Sequence, residues 1–193
     1  MDTREEILFK NYESMCLHGF QGLRTDRVIQ ELGVTKGAFY HYFRSKKELG
    51  YSIVDEIITP HYLASFLELR QLKKDIIPAI ITLVERLKAI SSKETIHIGC
   101  PLNNLVQEMS PLDETFRDKL NYIFKTQKEM LTYALEQGIA LKEVKQDIEP
   151  ESVALFIIAS IEGSYSLGKS FQSKQVFDKS MDQLIKYIHM LSA

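Results

Sequence analysis

Apolar residues return at helical intervals through almost the whole chain. Leu8, Tyr12, Met15 and Cys16 fall on one face of a first segment that Gly19 is placed to end. Ile80, Leu83, Val84, Leu87 and Ile90 form a second stripe, with Asp75 as its expected N-cap and Pro78 tolerated in the first turn. Phe116, Leu120, Ile123, Phe124, Gln127, Leu131 and Ala134 line a long helix expected to start after Asp113 and stop at Gly138. Val153, Phe156, Ile157, Ser160, Ile161, Ser164 and Tyr165 mark the next, entered through Pro150. Phe177, Met181, Leu184, Ile185, Ile188 and Leu191 mark the last. Sustained period-two alternation is missing, so the pattern predicts an all-α fold.

One stretch departs from these broad stripes. Residues 25–43, TDRVIQELGVTKGAFYHYF, read as two short helices joined by a turn. Thr25 is placed to cap the first, which carries Val28, Ile29 and Leu32 inward. Gly33 supplies a left-handed residue, and Thr35 caps a second helix running to Phe43. Two short helices around such a turn form a helix-turn-helix, whose second helix enters the DNA major groove. The residue types suit that task. Lys36 can donate to guanine or phosphate, Gly37 and Ala38 allow close approach, and Tyr40 and His41 add polar groups, while Phe39 and Phe43 face inward. Ser45 then caps a helix whose first turn holds Lys46 and Lys47.

Charge changes the picture only when it is localised. The 193 residues carry a net charge of −2, with 45% hydrophobic and 26% charged residues. Residues 24–47 nevertheless hold six Lys and Arg against two acidic residues, a net +4, so the remainder carries −6. That local excess suits a DNA-facing surface. No apolar run reaches the roughly 18 residues of a membrane span, and two distant cysteines suggest neither a disulfide framework nor a metal site. The expectation is a cytoplasmic protein with no cofactor and no membrane contact. An enzyme is disfavoured because no metal-ligand spacing, phosphate loop or nucleophile–base pair stands out.

The segment GFQGLRTDRVIQELGVTKGAFYHYFRSKKEL, residues 19–49, resembles the TetR-type transcriptional regulators. The resemblance lies in Gly-Phe after the first helix, the Thr-capped second, Gly-Val-Thr-Lys-Gly, the aromatic-x-Tyr-Phe run and Ser-Lys-x-x-Leu. It implies nine helices: a helix-turn-helix head over 1–48, and a ligand-binding and dimerising body over 49–193. By position, Thr25, Thr35, Tyr40 and Lys46 are implied as phosphate contacts. Lys36, Gly37, Ala38 and His41 are implied as the base-reading surface. Asp26 departs from the pattern, since an acid beside Thr25 opposes a phosphate. The implied partners are a double-stranded, pseudo-palindromic operator, a second copy of the chain and a small-molecule inducer. Two copies double the readout of one short helix at half-sites about 34 Å or a longer interval apart.

Within the body, the helix over about 46–70 contains Pro60, which can kink or break it. Candidate ligand contacts are Tyr62, Phe66, Leu87, Cys100, Asn103, Asn104, Phe124, Gln127, Met130 and Tyr165. Each apolar one also has an ordinary core reading, whereas the two Asn and the Gln need polar partners. The expected dimer face, the family's last two helices, carries Phe156, Ile157, Ile161, Leu184, Ile188 and Leu191. In IGCPLNNLVQEM, Pro101 fits the first helical position and places Cys100 at the N-cap. Cys100 reads either as a small buried side chain or as a thiol activated by the helix end and by His97, like the Gly-Cys segment of electrophile- or oxidant-responsive relatives. Cys16 reads as structural. Two other functions stay open: a helical small-molecule-binding dimer without DNA function, and a thiol-dependent helical enzyme.

Overall fold

The computed structural model describes residues 3–193, and its regular elements are helices, with one isolated bridge between Val144 and Ser192. They are α1 (Thr3–Gly22), α2 (Thr25–Glu31), α3 (Lys36–Tyr42), α4 (Lys46–Ile53), α5 (Thr59–Leu67), α6 (Ile76–Ile90), α7 (Lys93–Ile98), α8 (Pro101–Met109), α9 (Glu114–Ala140), α10 (Pro150–Ser170) and α11 (Lys174–His189). A π-helical turn, Val54–Ile58, joins α4 to α5, and a 3-10 turn, Glu68–Gln71, follows α5. Taking the unbroken run 46–71 as one element, and α7 with α8 as one broken at Gly99, the described residues hold the expected nine helices.

The chain divides into two compact units, one of residues up to 61 together with 101–121, the other of 62–100 with 122–193. The first therefore takes in more chain than the head expected over 1–48. Its core holds Ile7, Leu8, Met15, Phe20, Val28, Ile29, Phe39, Phe43 and Leu49, all essentially sealed from solvent. Phe116 enters this core edge-on to Phe20 at 4.7 Å and to Tyr51 at 4.8 Å. The second unit packs α6, α7, α10 and α11 around Ile80, Val84, Ile96, Leu131, Ile157, Phe177, Met181 and Ile188.

Four local expectations change. Thr25 does not cap α2: Arg24 occupies the cap position and offers no side-chain hydrogen bond, so Thr25 opens the helix. Asp75 holds the N-cap position of α6 as expected, but at φ 58° its side chain makes no capping hydrogen bond. The Glu143 carboxylate, distant in sequence, accepts from the Asp75 and Ile76 amides at 3.0 and 2.8 Å instead. Gly138 does not end α9, which continues to Ala140, and the left-handed residue is Lys142. The lack of a side chain at Gly138 serves packing, since a Cβ there would lie 2.4 Å from Val144 Cγ2. Pro60, finally, does not break its helix. The widened turn before it, in which the Thr59 amide bonds Val54 O, absorbs the hydrogen bond and the space that proline disrupts.

Candidate nucleic-acid interface and ligand site

The first unit builds its polar face from the turn outward. Gly33 takes φ 66°, the Val34 amide donates to Ile29 O at 3.1 Å, and Thr35 Oγ1 accepts from the Ala38 amide at 3.1 Å. These bonds start α3 at a defined angle, and burial of Phe39 and Phe43 sets its rotation. Thr35, Lys36, Gly37, Tyr40 and His41 are thereby exposed, with Ala38 and Thr25 partly so. The Thr35 hydroxyl accepts in the cap and keeps its proton for an outside acceptor.

The cations around this face differ sharply in availability. Lys36 pairs with Asp26 at 3.2 Å, both side chains well exposed, and Arg27 pairs with Glu31 at 3.0 Å. Lys46 is drawn inward: its ammonium donates to Gln21 O at 3.0 Å over the Phe20 ring, and burial lowers its pKa. Lys47 reaches Asp113 at 2.7 Å. Arg24 and Arg44 are exposed and form no ion pair among the described residues. Neither stands among the expected contacts, although each precedes a hydroxyl residue, Thr25 or Ser45, at a helix start.

Two carboxylates anchor this face from behind. Glu108, near the end of α8, accepts from the Phe20 and Gln21 amides at 2.8 and 2.7 Å. Those amides are exposed by the break at Gly19, φ 74°, where a Cβ would press within 2.9 Å of the same carboxylate. Asp113 accepts from Lys47, from the Tyr51 hydroxyl at 3.0 Å and from the Phe116 amide at 3.0 Å. Those donors hold its carboxyl down at about 2.

In the second unit a chain of polar groups runs through otherwise apolar surroundings. The Tyr62 hydroxyl lies 3.3 Å from Cys100 Sγ, and Cys100 in turn hydrogen-bonds the Glu162 carboxyl. A thiol has one proton to give, so when Glu162 is ionised the order is Tyr62 O–H to Sγ and S–H to carboxylate. Gln127 Nε2 donates to Tyr62 O at 3.0 Å, and the Ser91 and Tyr165 hydroxyls meet at 2.8 Å. Burial pushes Glu162 up to about 7 and Tyr165 up to about 12. Cys100 is buried, while His97, expected beside it, is exposed and bonds Gln172 O at 3.1 Å. Glu162 went unnoticed in the sequence. Its signal is that it stands as a lone acid in VALFIIASIEGSYSLG, where the flanking stripe is apolar.

The other candidates separate. Phe66 and Met130 are deep in the core, whereas Leu87, Phe124 and Tyr165 are partly buried against it. Asn103 and Asn104 belong to the first unit, on α8. Of the expected dimer contacts, Ile157, Ile161, Leu184, Ile188 and Leu191 are buried inside the chain's own core, because their positions face α6 and the α10–α11 contact. Phe156 is exposed, and with it Leu155 and Leu167, one helical face further round.

A capped, solvent-facing second helix behind a glycine turn, on a chain with a separate helical core, is the build of a helix-turn-helix regulator. Comparison with known proteins agrees. The family model of bacterial regulatory proteins, tetR family, matches residues 13–50, and that of the tetracyclin repressor-like C-terminal domain matches 77–184. The chain is 33% identical over 189 residues to an uncharacterized HTH-type transcriptional regulator in the lacX 3' region of Lactococcus lactis, covering 95% of this chain and 91% of that protein. It is 32% identical over 145 residues to the HTH-type transcriptional repressor NemR of Escherichia coli, covering 71% and 69%. A TetR transcriptional regulator from Chloroflexus aurantiacus shares the fold with a TM-score of 0.85 at 21% identity, over 99% of this chain and 96% of that one. The chain belongs to the TetR family of helix-turn-helix transcriptional regulators.

Proposed function

We propose that the protein is a homodimeric repressor that binds a pseudo-palindromic operator and leaves it when a small molecule binds the second unit. The observation that carries this reading is the exposed face of α3, with Lys36, Gly37, Tyr40 and His41 presented by a capped turn. Lys36 exchanges its ion pair with Asp26 for a base or phosphate, a small cost for two solvated side chains. Thr35 and Tyr40 donate hydroxyls to phosphate, and Thr25 and Ala38 line the approach. Arg24 and Arg44 supply the phosphate charge that Lys46 spends on Gln21 O.

The repressor sense follows the printed role of relatives such as NemR. Dimerisation is assigned to the exposed apolar face of α10, Leu155, Phe156 and Leu167. Ligand contact is assigned to Tyr62, Leu87, Cys100, Phe124, Gln127 and Tyr165. A ligand acts only through a difference in affinity between operator-competent and incompetent states. The covalent chain passes between the units at three points, two of them next to Tyr62 and Cys100, and the hydrogen bond between these residues ties those two together. A molecule that parts them therefore acts where the chain passes from one unit to the other.

The test is titration of a duplex carrying the palindrome upstream of the protein's own gene, over a range of salt. The combined Lys36→Ala and His41→Ala change is expected to weaken binding at least about tenfold, from contacts of roughly 1–3 kcal/mol each. Unchanged binding removes α3 from the interface.

A further inference from the structure

Most buried polar side chains of the second unit have protein partners: Gln127 bonds Tyr62 O, Ser91 bonds Leu87 O and Tyr165, and Ser164 bonds Ser160 O and Ser180. Among the described residues, two buried side-chain oxygens of this unit have none, Thr132 Oγ1 and Glu162 Oε2. They are not equivalent. A hydroxyl is neutral and rotates at little cost, whereas a carboxylate oxygen is an acceptor with charge and a large desolvation penalty. No Lys, Arg or His forms an ion pair with Glu162 among the described residues, and the thiol of Cys100 is the one side-chain donor it is given. Protonation, favoured by burial, is how the carboxyl relieves that charge.

We infer that this oxygen is a specificity determinant: the second unit selects an uncharged or cationic ligand carrying a hydrogen-bond donor, an amine above all, and rejects carboxylates. The inference rests on the ligand-binding role proposed above and names the chemistry of that ligand. A turn of the Glu162 side chain presents Oε2 to an incoming N–H or O–H, which satisfies the acceptor and keeps the carboxyl ionised. The apolar part of the ligand meets the partly accessible rings of Tyr62, which bonds Cys100, and of Tyr165, whose hydroxyl lies within the field of Glu162. An anionic ligand meets the opposite situation once Glu162 is ionised, because two carboxylates in a desolvated site repel and can pair only by taking up a proton.

The experiment compares three probes of one shape, benzylammonium, benzyl alcohol and benzoate, by calorimetric titration of the full chain at about pH 8, where Glu162 is ionised. Benzylammonium is expected to bind at least about tenfold more tightly than benzoate, with benzyl alcohol between them. In Glu162→Gln that preference is expected to fall to about threefold or less, while its thermal unfolding stays cooperative. Equal affinity for benzoate and benzylammonium overturns the inference. So does an unchanged preference in Glu162→Gln, or no binding of any probe up to about 10 mM. Operator binding by the unliganded chain is read in parallel. Its loss removes the repressor reading alone, and a selective amine site found without it supports the ligand assignment on its own terms.

Discussion

At the scale of single residues, the informative positions are carboxylates, and each is defined by what it accepts. Asp113 gathers an ammonium, a phenol and a backbone amide, which holds its carboxyl at about 2 against 3.8 for the free group. A depressed folded-state pKa means stability that is present above the unfolded value and is lost as the pH falls through about 2. Thermal melts of wild type and Asp113→Asn are therefore expected to differ at neutral pH, with the variant lower. That gap should close between about pH 4 and pH 2. A gap independent of pH would mean that the charge of Asp113 contributes nothing. Glu162 lies at the opposite extreme, raised because burial outweighs its one thiol bond. Neither environment was legible from the chain. Asp113 lies more than sixty residues from Lys47 and Tyr51, and Glu162 in α10 resembled any solvated Glu.

Helix ends are where elements acquired their definition, and local and distant caps share the work. Thr35 and Ser45 accept from the amides three residues on, at 3.1 Å each, as their sequence positions predict. The starts of α6 and of the segment after Gly19 are capped by Glu143 and Glu108 instead, from other elements. Glu108 thereby ties the end of α8 to the chain just before α2. Glu108→Gln replaces one of two acceptors with an amide that confronts a backbone N–H. It is expected to cost about 1 kcal/mol, read as a lower urea midpoint at unchanged slope. An unaltered midpoint would show that water caps those amides equally well. Most of each helix face was legible in its periodicity, because side chains three and four apart must share a surface, but Ile90 and Phe156, expected on the stripes, are exposed. A helix terminus was not legible where the cap came from a residue more than sixty positions away.

For the whole molecule, the question is which apolar surface remains after the chain has buried its own. Five of the six residues expected at the dimer face are internal, so the exposed stripe of α10 carries the assignment. Phe156→Glu and Leu155→Glu, combined on the exposed side of α10, are expected to shift the protein from dimer to monomer in sedimentation. Operator affinity should fall at least about tenfold, because one head reads only half the site. A double variant that remains dimeric places the interface elsewhere. Phe156 also meets the Tyr187 ring edge-on at 4.8 Å, so the monomer's own stability is expected to fall by about 1 kcal/mol while its unfolding stays cooperative.

The sequence by itself determined the helical class, the helix-turn-helix with its glycine turn and threonine cap, and the inward faces of the long helices. These follow from contacts between near neighbours, which spacing encodes directly. Tertiary structure decided which apolar faces stay exposed, which lysines are spent inside the head, and which distant carboxylates cap broken helices. It also decided that Tyr62, Cys100 and Glu162 meet, because burial and hydrogen-bond partnership depend on segments that only folding brings together.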